Sequence, residues 1–263
     1  MQDLKITLVQ SGLAWEDPIT NIRNFDEKFR SFNNPTDLII LPEMFNTGFT
    51  MEAESNAEAM DGKSIQWMAE KAAEKHCVVC GSLIIADAGN YYNRFVWMRR
   101  DGSFDYYDKK HLFRMGDEHL HYSAGNKKLI VELKGWKVMP MVCYDLRFPV
   151  WSKNEYSDGK YAYDLLLYVA NWPAVRSLAW TSLITARAIE NISYAAGLNR
   201  IGKDGRGYEY SGNSMVAGPD GNTIMEIGSD KASVSTAKLK AENLIQSRAK
   251  LGVGKDWDAF NIQ

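Results

Sequence analysis

Apolar residues recur along the chain in two alternating rhythms. Short runs read as strands at residues 5–10, 37–41, 77–86, 164–170 and 193–199. The run 37–41 stops at Pro42, and 164–170 is apolar almost throughout, the pattern of strands buried on both faces. Between such runs the spacing becomes helical. Ile19, Ile22, Phe25, Phe29 and Phe32 follow Pro18 at steps of three and four, so 18–32 is expected to be a helix. Residues 64–75, 177–191 and 241–250 read the same way. Three hairpins are expected: 92–98 with 104–107 around Asp101-Gly102, 128–133 with 138–142 around Gly135, and 212–221 with 222–227 around Pro219-Asp220-Gly221. Buried strands alternating with helices predict an α/β fold with helices outside the sheet. Two sheets of about six strands would use this many strands; periodicity alone does not separate two sheets from one. With no repeat, low-complexity tract or linker, residues 1–263 are expected to form a single domain.

Composition narrows the picture. Hydrophobic residues make up 45% of 263 and aromatics 12%, which supports a large core and excludes a disordered chain. A net charge of −2 gives no basic excess for nucleic acid or an anionic membrane. Met1-Gln2-Asp3-Leu4-Lys5 enters a strand with no signal-peptide pattern, and no apolar run approaches the ~20 residues of a membrane helix. Three cysteines are an odd number for a disulfide framework. Together these readings predict a cytoplasmic protein.

Three strands end in groups able to carry chemistry. The run 37–41 leads to Glu43, 104–108 to Lys109, and 138–142 to Cys143. Ligands of open α/β sheets bind at the carboxyl ends of strands, so these groups are expected to meet in one cleft. A lone strand-end cysteine is more often a small core residue than a nucleophile; the partners shift that balance for Cys143. Glu43, set among Leu41, Met44 and Phe45, suits a general base working near neutral pH. A lysine beside the thiol would favour the thiolate and stabilise an oxyanion. Residue chemistry alone does not choose between Lys109 and Lys110.

Leu41-Pro42-Glu43, Tyr107-x-Lys109-x-His111-Leu112-Phe113 and Cys143-Tyr144-Asp145-Leu146-Arg147-Phe148 closely resemble the three signature segments of the nitrilase superfamily. Arg187-Ala188-Ile189-Glu190-Asn191 and Asn199-Arg200 resemble further superfamily segments, so the likeness covers nearly the whole chain. It implies a four-layer αββα sandwich, usually paired as a homodimer, and no metal or organic cofactor. In the family motif the catalytic lysine stands two residues before the histidine, which puts that role on Lys109. A second, supporting glutamate precedes a Ser-x-Gly turn; Glu118, before Ser123-Ala124-Gly125, takes that place. Among the branches, 41–45, 113–119 and 169–173 most resemble bacterial omega-amidases. Those enzymes hydrolyse the terminal amide of 2-oxo dicarboxylic acid monoamides such as 2-oxoglutaramate and 2-oxosuccinamate.

The implied mechanism is acyl transfer through a thioester. Glu43 acts as base, and Lys109 with the backbone N–H of Tyr144 as oxyanion donors. Arg147 and Arg176 are candidates for a substrate carboxylate, and Phe45 and Trp172 for pocket walls. Nitrile or carbamoyl hydrolysis at the same triad is the nearest alternative; a silent binding protein is the non-enzymatic one. A thiol oxidoreductase would need Cys77 and Cys80 to pair. On a strand, however, positions three apart face opposite ways, so both read as core. His119 and His121 would share a face if they lay on a strand, but catalytic zinc ligand spacing is lacking. The glycines of 202–207 lack any nucleotide-binding fingerprint and read as a turn.

Overall fold

A computed structural model of the chain describes residues 1–260; the last three residues of the expected domain lie outside the described part. Twelve strands form two six-stranded mixed sheets. The first contains β1 (Leu4–Gln10), β2 (Leu38–Ile40), β3 (Val78–Asp87), β4 (Asn90–Met98) and β5 (Phe104–Asp108). The second contains β6 (Val131–Leu133), β7 (Trp136–Val142), β8 (Leu165–Ala170), β9 (Tyr194–Asn199), β10 (Met215–Ala217) and β11 (Thr223–Glu226). The last strand, β12 (Ser233–Leu239), returns to the first sheet and pairs antiparallel with β1. Sheet orders are β12-β1-β2-β3-β4-β5 and β11-β10-β9-β8-β7-β6.

Helix α1 (Pro18–Ser31) starts where Asp17 Oδ1 accepts the Thr20 N–H at 3.0 Å, with Pro18 in the first turn where no backbone donor is needed. It lies with α2 (Lys63–Lys75) on the outer face of the first sheet. Phe25, Phe29, Trp67 and Met68 pack there against Ile39, Val79 and Val96. Helices α3 (Ser177–Asn191) and α4 (Ala241–Leu251) cover the second sheet. A Cβ on Gly197 of β9 would stand 2.7 Å from Trp180 and 2.8 Å from Ile184, so a glycine there lets α3 approach the strand. Between the sheets lie Leu4, Ile6, Leu8, Leu38, Ile40, Phe95 and Trp97, the alternate positions of the same strands. This is the four-layer αββα sandwich. The structure also separates Cys77, in the outer core, from Cys80, between the sheets; all three cysteines are free.

Some local readings change. The expected strand 128–133 begins only at Val131, because Ile130 is half-exposed and finds no partner strand. Residues 118–121 form one helical turn, Glu118–His121, rather than a strand, so His119 and His121 do not share a sheet face. Two small hairpins are additional: Tyr156–Ser157 with Lys160–Tyr161, and Ile201–Lys203 with Glu209–Ser211. The expected turn at 202–207 is shifted: Gly202 and Lys203 belong to the strand, and residues 204–208 form the tip of the second.

Candidate active site

The ends of β2, β5 and β7 converge. Leu41 N–H donates to Cys80 O at 2.7 Å, and the chain then turns so that Glu43 is fully buried. Met44 follows at φ 43° and donates its N–H to Ser82 Oγ at 2.9 Å. After β5, Lys109 N–H donates to Asn93 O at 3.0 Å, which turns the lysine inward. After β7, Cys143 sits at φ 45° and opens the 3-10 turn Cys143–Arg147. Left-handed backbone at a non-glycine residue is uncommon and costs energy, so surrounding bonds must hold it. Asp145 supplies them. Its Oδ2 accepts the Val142 N–H at 3.0 Å and the Tyr107 hydroxyl at 2.8 Å. Its Oδ1 accepts the His111 N–H at 3.0 Å and stands 2.8 Å from His111 Nδ1. One buried carboxylate thereby ties the cysteine turn to the lysine segment.

Lys109 Nζ lies 2.9 Å from Glu43 Oε1 and 2.9 Å from each oxygen of Glu118. Glu118 Oε2 also accepts the Phe113 N–H at 2.6 Å. The second sheet contributes Asn171, after β8. Its N–H donates to Glu43 Oε2 at 2.7 Å and its amide to Glu43 O at 2.6 Å. Cys143 Sγ is 3.8 Å from Asn171 O. Glu43 and Glu118 are sealed from solvent, Lys109 is all but buried, and Cys143 keeps 9% of its surface open.

Burial works against the Lys109 ammonium, but the charges of Glu118 and Glu43 outweigh it and hold the group above the lysine range. Burial raises Glu118 despite the opposing Lys109. For Cys143, burial and then the Glu43 charge push the thiol well up; Lys109 pulls the other way and is outweighed. The balance runs against the thiolate that a neighbouring lysine alone would favour. Glu43 is the group placed to take the thiol proton.

Cys143 and Lys109 open onto a cleft of about 280 Å³. Tyr144 and Trp172 line it as expected. Tyr144 lies in the first turn of its helix, where N–H groups have no intrahelical acceptor. Both expected arginines reach the cleft. The Arg147 guanidinium lies 4.8 Å over the Trp172 ring; that of Arg176 lies 5.7 Å from Phe113 and 3.0 Å from Met115 Sδ. Phe45 does not reach it. Its ring is buried 5.7 Å from both Phe25 and Trp67 in the outer core, because the turn after Glu43 sends successive side chains to opposite sides of the sheet. Sequence reasoning missed Arg206, whose side chain has no hydrogen-bonding or ionic partner among the described residues, and Asn93. Asn93 was detectable: it shares the inward face of β4 with Phe95 and Trp97, where a polar residue is out of place. Among the described residues no three His, Cys, Asp or Glu side chains gather as metal ligands.

The chain matches the carbon–nitrogen hydrolase family over residues 5–249. It is 47% identical over 262 residues to omega-amidase YafV of Escherichia coli strain K12, covering 100% of both chains. It is 31% identical to 2-oxoglutaramate amidase of Bacillus subtilis strain 168, covering 95% of this chain and 96% of that one. Among solved structures, XC1258 of Xanthomonas campestris, a CN-hydrolase superfamily protein with an arsenic adduct in its active site, superposes with a TM-score of 0.97. That protein is 41% identical, with 100% of each chain covered.

Proposed function

Because the chain belongs to the carbon–nitrogen hydrolase family, the nitrilase superfamily, we propose that it hydrolyses the terminal amide of 2-oxo dicarboxylic acid monoamides through Cys143, Glu43 and Lys109. The observation that carries this reading is the buried contact of Lys109 Nζ with Glu43 Oε1 at 2.9 Å, beside a thiol on the wall of the same cleft. Glu43 takes the Cys143 proton as sulfur attacks the amide carbon. The oxyanion develops toward Lys109 and the Tyr144 N–H. As it collapses, the C–N bond breaks and Glu43 returns the proton to the departing ammonia. Water then gives a proton to Glu43 and its oxygen to the acyl carbon. The C–S bond breaks, and the thiol recovers its proton. Glu118 holds Lys109 in place through both of its oxygens.

The substrate carboxylate is assigned to the arginines. A guanidinium binds a carboxylate with paired hydrogen bonds, and no carboxylate pairs with Arg147 or Arg176 among the described residues. Trp172, under Arg147, lines the same cleft as the thiol. The reading includes a cytoplasmic homodimer. In support, no described helix is long and apolar enough to cross a membrane, and Val175 and Leu178 stand 87% and 80% exposed.

Ammonia release from 2-oxoglutaramate, 2-oxosuccinamate, glutamine, an aliphatic nitrile and an N-carbamoyl amino acid tests the substrate. The 2-oxo acid amides are expected to exceed the nitrile by at least ~100-fold in kcat/KM. Parity with the nitrile would defeat the omega-amidase assignment and leave the cysteine chemistry standing. Arg147→Gln should lower kcat/KM for 2-oxoglutaramate by ~10- to 100-fold and spare a neutral amide.

A further inference from the structure

One residue outside the Glu43, Lys109, Cys143 and Glu118 group touches three of its members, two of them with its side chain. Asn93 lies on β4, 1% exposed and off the cleft wall. Its backbone oxygen accepts the Lys109 N–H at 3.0 Å. Its side-chain Nδ2 donates to Glu43 Oε1 at 2.8 Å and to Glu118 Oε1 at 3.2 Å. Its Oδ1 accepts the Ser82 hydroxyl at 2.8 Å.

The direction of this chain of bonds is fixed from one end. A backbone N–H only donates, and that of Met44 donates to Ser82 Oγ at 2.9 Å. The Ser82 proton is therefore free to go to Asn93 Oδ1. The amide must then turn its NH2 toward the carboxylates. Ser82 is itself pinned to the Glu43 turn by two backbone bonds, Phe45 N–H to Ser82 O at 3.1 Å and Ser82 N–H to Pro42 O at 3.4 Å.

We propose that Asn93, oriented by Ser82, is a positioning residue that holds both glutamates against Lys109 as proton acceptors. The proposal rests on the amidase reading above. Two buried carboxylates beside one ammonium repel each other, and each gains by taking up a proton. A neutral donor shared between them favours their ionised forms without adding a second cation to compete for the oxyanion. Lys109, Cys143 and Tyr122 are the other titratable groups facing the pair, with the charge of Glu16 beyond Tyr122. Without the Asn93 amide, the carboxylate that must receive the thiol proton is more readily neutralised as pH falls.

Asn93→Ala and Ser82→Ala test this through the pH profile of ammonia release from 2-oxoglutaramate. For Asn93→Ala, kcat is expected to fall ~10- to 100-fold, the range for a lost hydrogen bond to a charged group. KM should change little, since Asn93 does not line the cleft. The acid limb of the kcat/KM profile should move to higher pH by about one unit. Ser82→Ala, which keeps the amide but frees it to turn, should move the limb in the same direction by less. A merely structural role predicts something else: activity falling with the folded fraction and an unmoved limb, a result that would overturn the proposal. If Asn93→Ala does not fold, Ser82→Ala decides by the same limb. A parent enzyme that releases no ammonia from any amide defeats the amidase reading, and this proposal with it, before any variant is made.

Discussion

β3 and the turn after β7 both carry buried thiols, yet only one of these regions is built for chemistry. Cys80 is fully buried, Cys77 is 5% exposed and Cys143 9%. Burial pushes all three thiols upward. Neither enclosure nor thiol acidity therefore distinguishes the nucleophile. The difference lies in neighbours and backbone. Cys80 looks onto Phe95 and Trp97 between the sheets, and Cys77 onto the outer core. Cys143 stands at φ 45° on a cleft wall, with Glu43 close enough to act on it. A base at hand replaces a lowered thiol pKa: the proton need only leave when a substrate arrives.

Cys143→Ala should break this contrast most sharply. Turnover is expected to fall at least ~1,000-fold with the thermal melt nearly unchanged; parent-like ammonia release would remove Cys143 from the mechanism. Iodoacetamide should modify Cys143 in the native protein, and Cys77 and Cys80 only after unfolding.

The next largest effect tests the neighbours rather than the sulfur. Lys109→Met should cost ~100- to 1,000-fold in kcat. It should also cost about 3–5 kcal/mol of stability, because Glu43 and Glu118 lose the cation between them. Lys110→Met, whose ammonium lies 5.4 Å from the Trp151 ring, should change stability by less than ~0.5 kcal/mol. Equal losses in the two variants would place the catalytic lysine one residue off.

On the β3 side the effects are on stability. Cys80→Ala should destabilise by about 1–2 kcal/mol, the cost of a small cavity, with turnover close to the parent's. Cys77 adds a smaller, pH-dependent effect. Burial and the Asp37 charge push it up to about 12 from an ordinary 9.0. A folded-state value above the unfolded one contributes stability that is complete below pH 9.0 and is lost as pH rises toward 12. The melting temperature of the parent should therefore fall more steeply across that window than that of Cys77→Ala. Parallel curves would show that the thiol does not feel its burial.

Most strands and all four long helices were legible because their apolar periods are strong, as at Phe25, Phe29 and Phe32. β12 was not: Ser233, Ser235 and Thr236 are small and polar, and what makes them a strand is pairing with β1. Glu43, Lys109 and Cys143 were visible as strand-end chemistry, sharpened by family resemblance. Phe45 was misplaced because sequence proximity to Glu43 does not show which way a turn sends each side chain. Arg206 was invisible because residues 201–211 form a hairpin folded over the cleft, and only tertiary placement brings it there.

The late return of β12 bears on how the polypeptide is made. Thr7 and Thr236 share a hydroxyl contact at 2.9 Å across 229 residues of sequence. At ~5–20 residues per second on the ribosome, β1 waits roughly 10–45 s for the strand that covers its outer edge. Throughout that interval an apolar strand with unpaired backbone groups is open to other chains. Helix α1, α2 and the Glu43 turn emerge early but rest on a sheet whose edge strand follows all of them in sequence. The nascent protein is thus expected to complete its first sheet only after β12 has emerged, and to depend on chaperone cover until then.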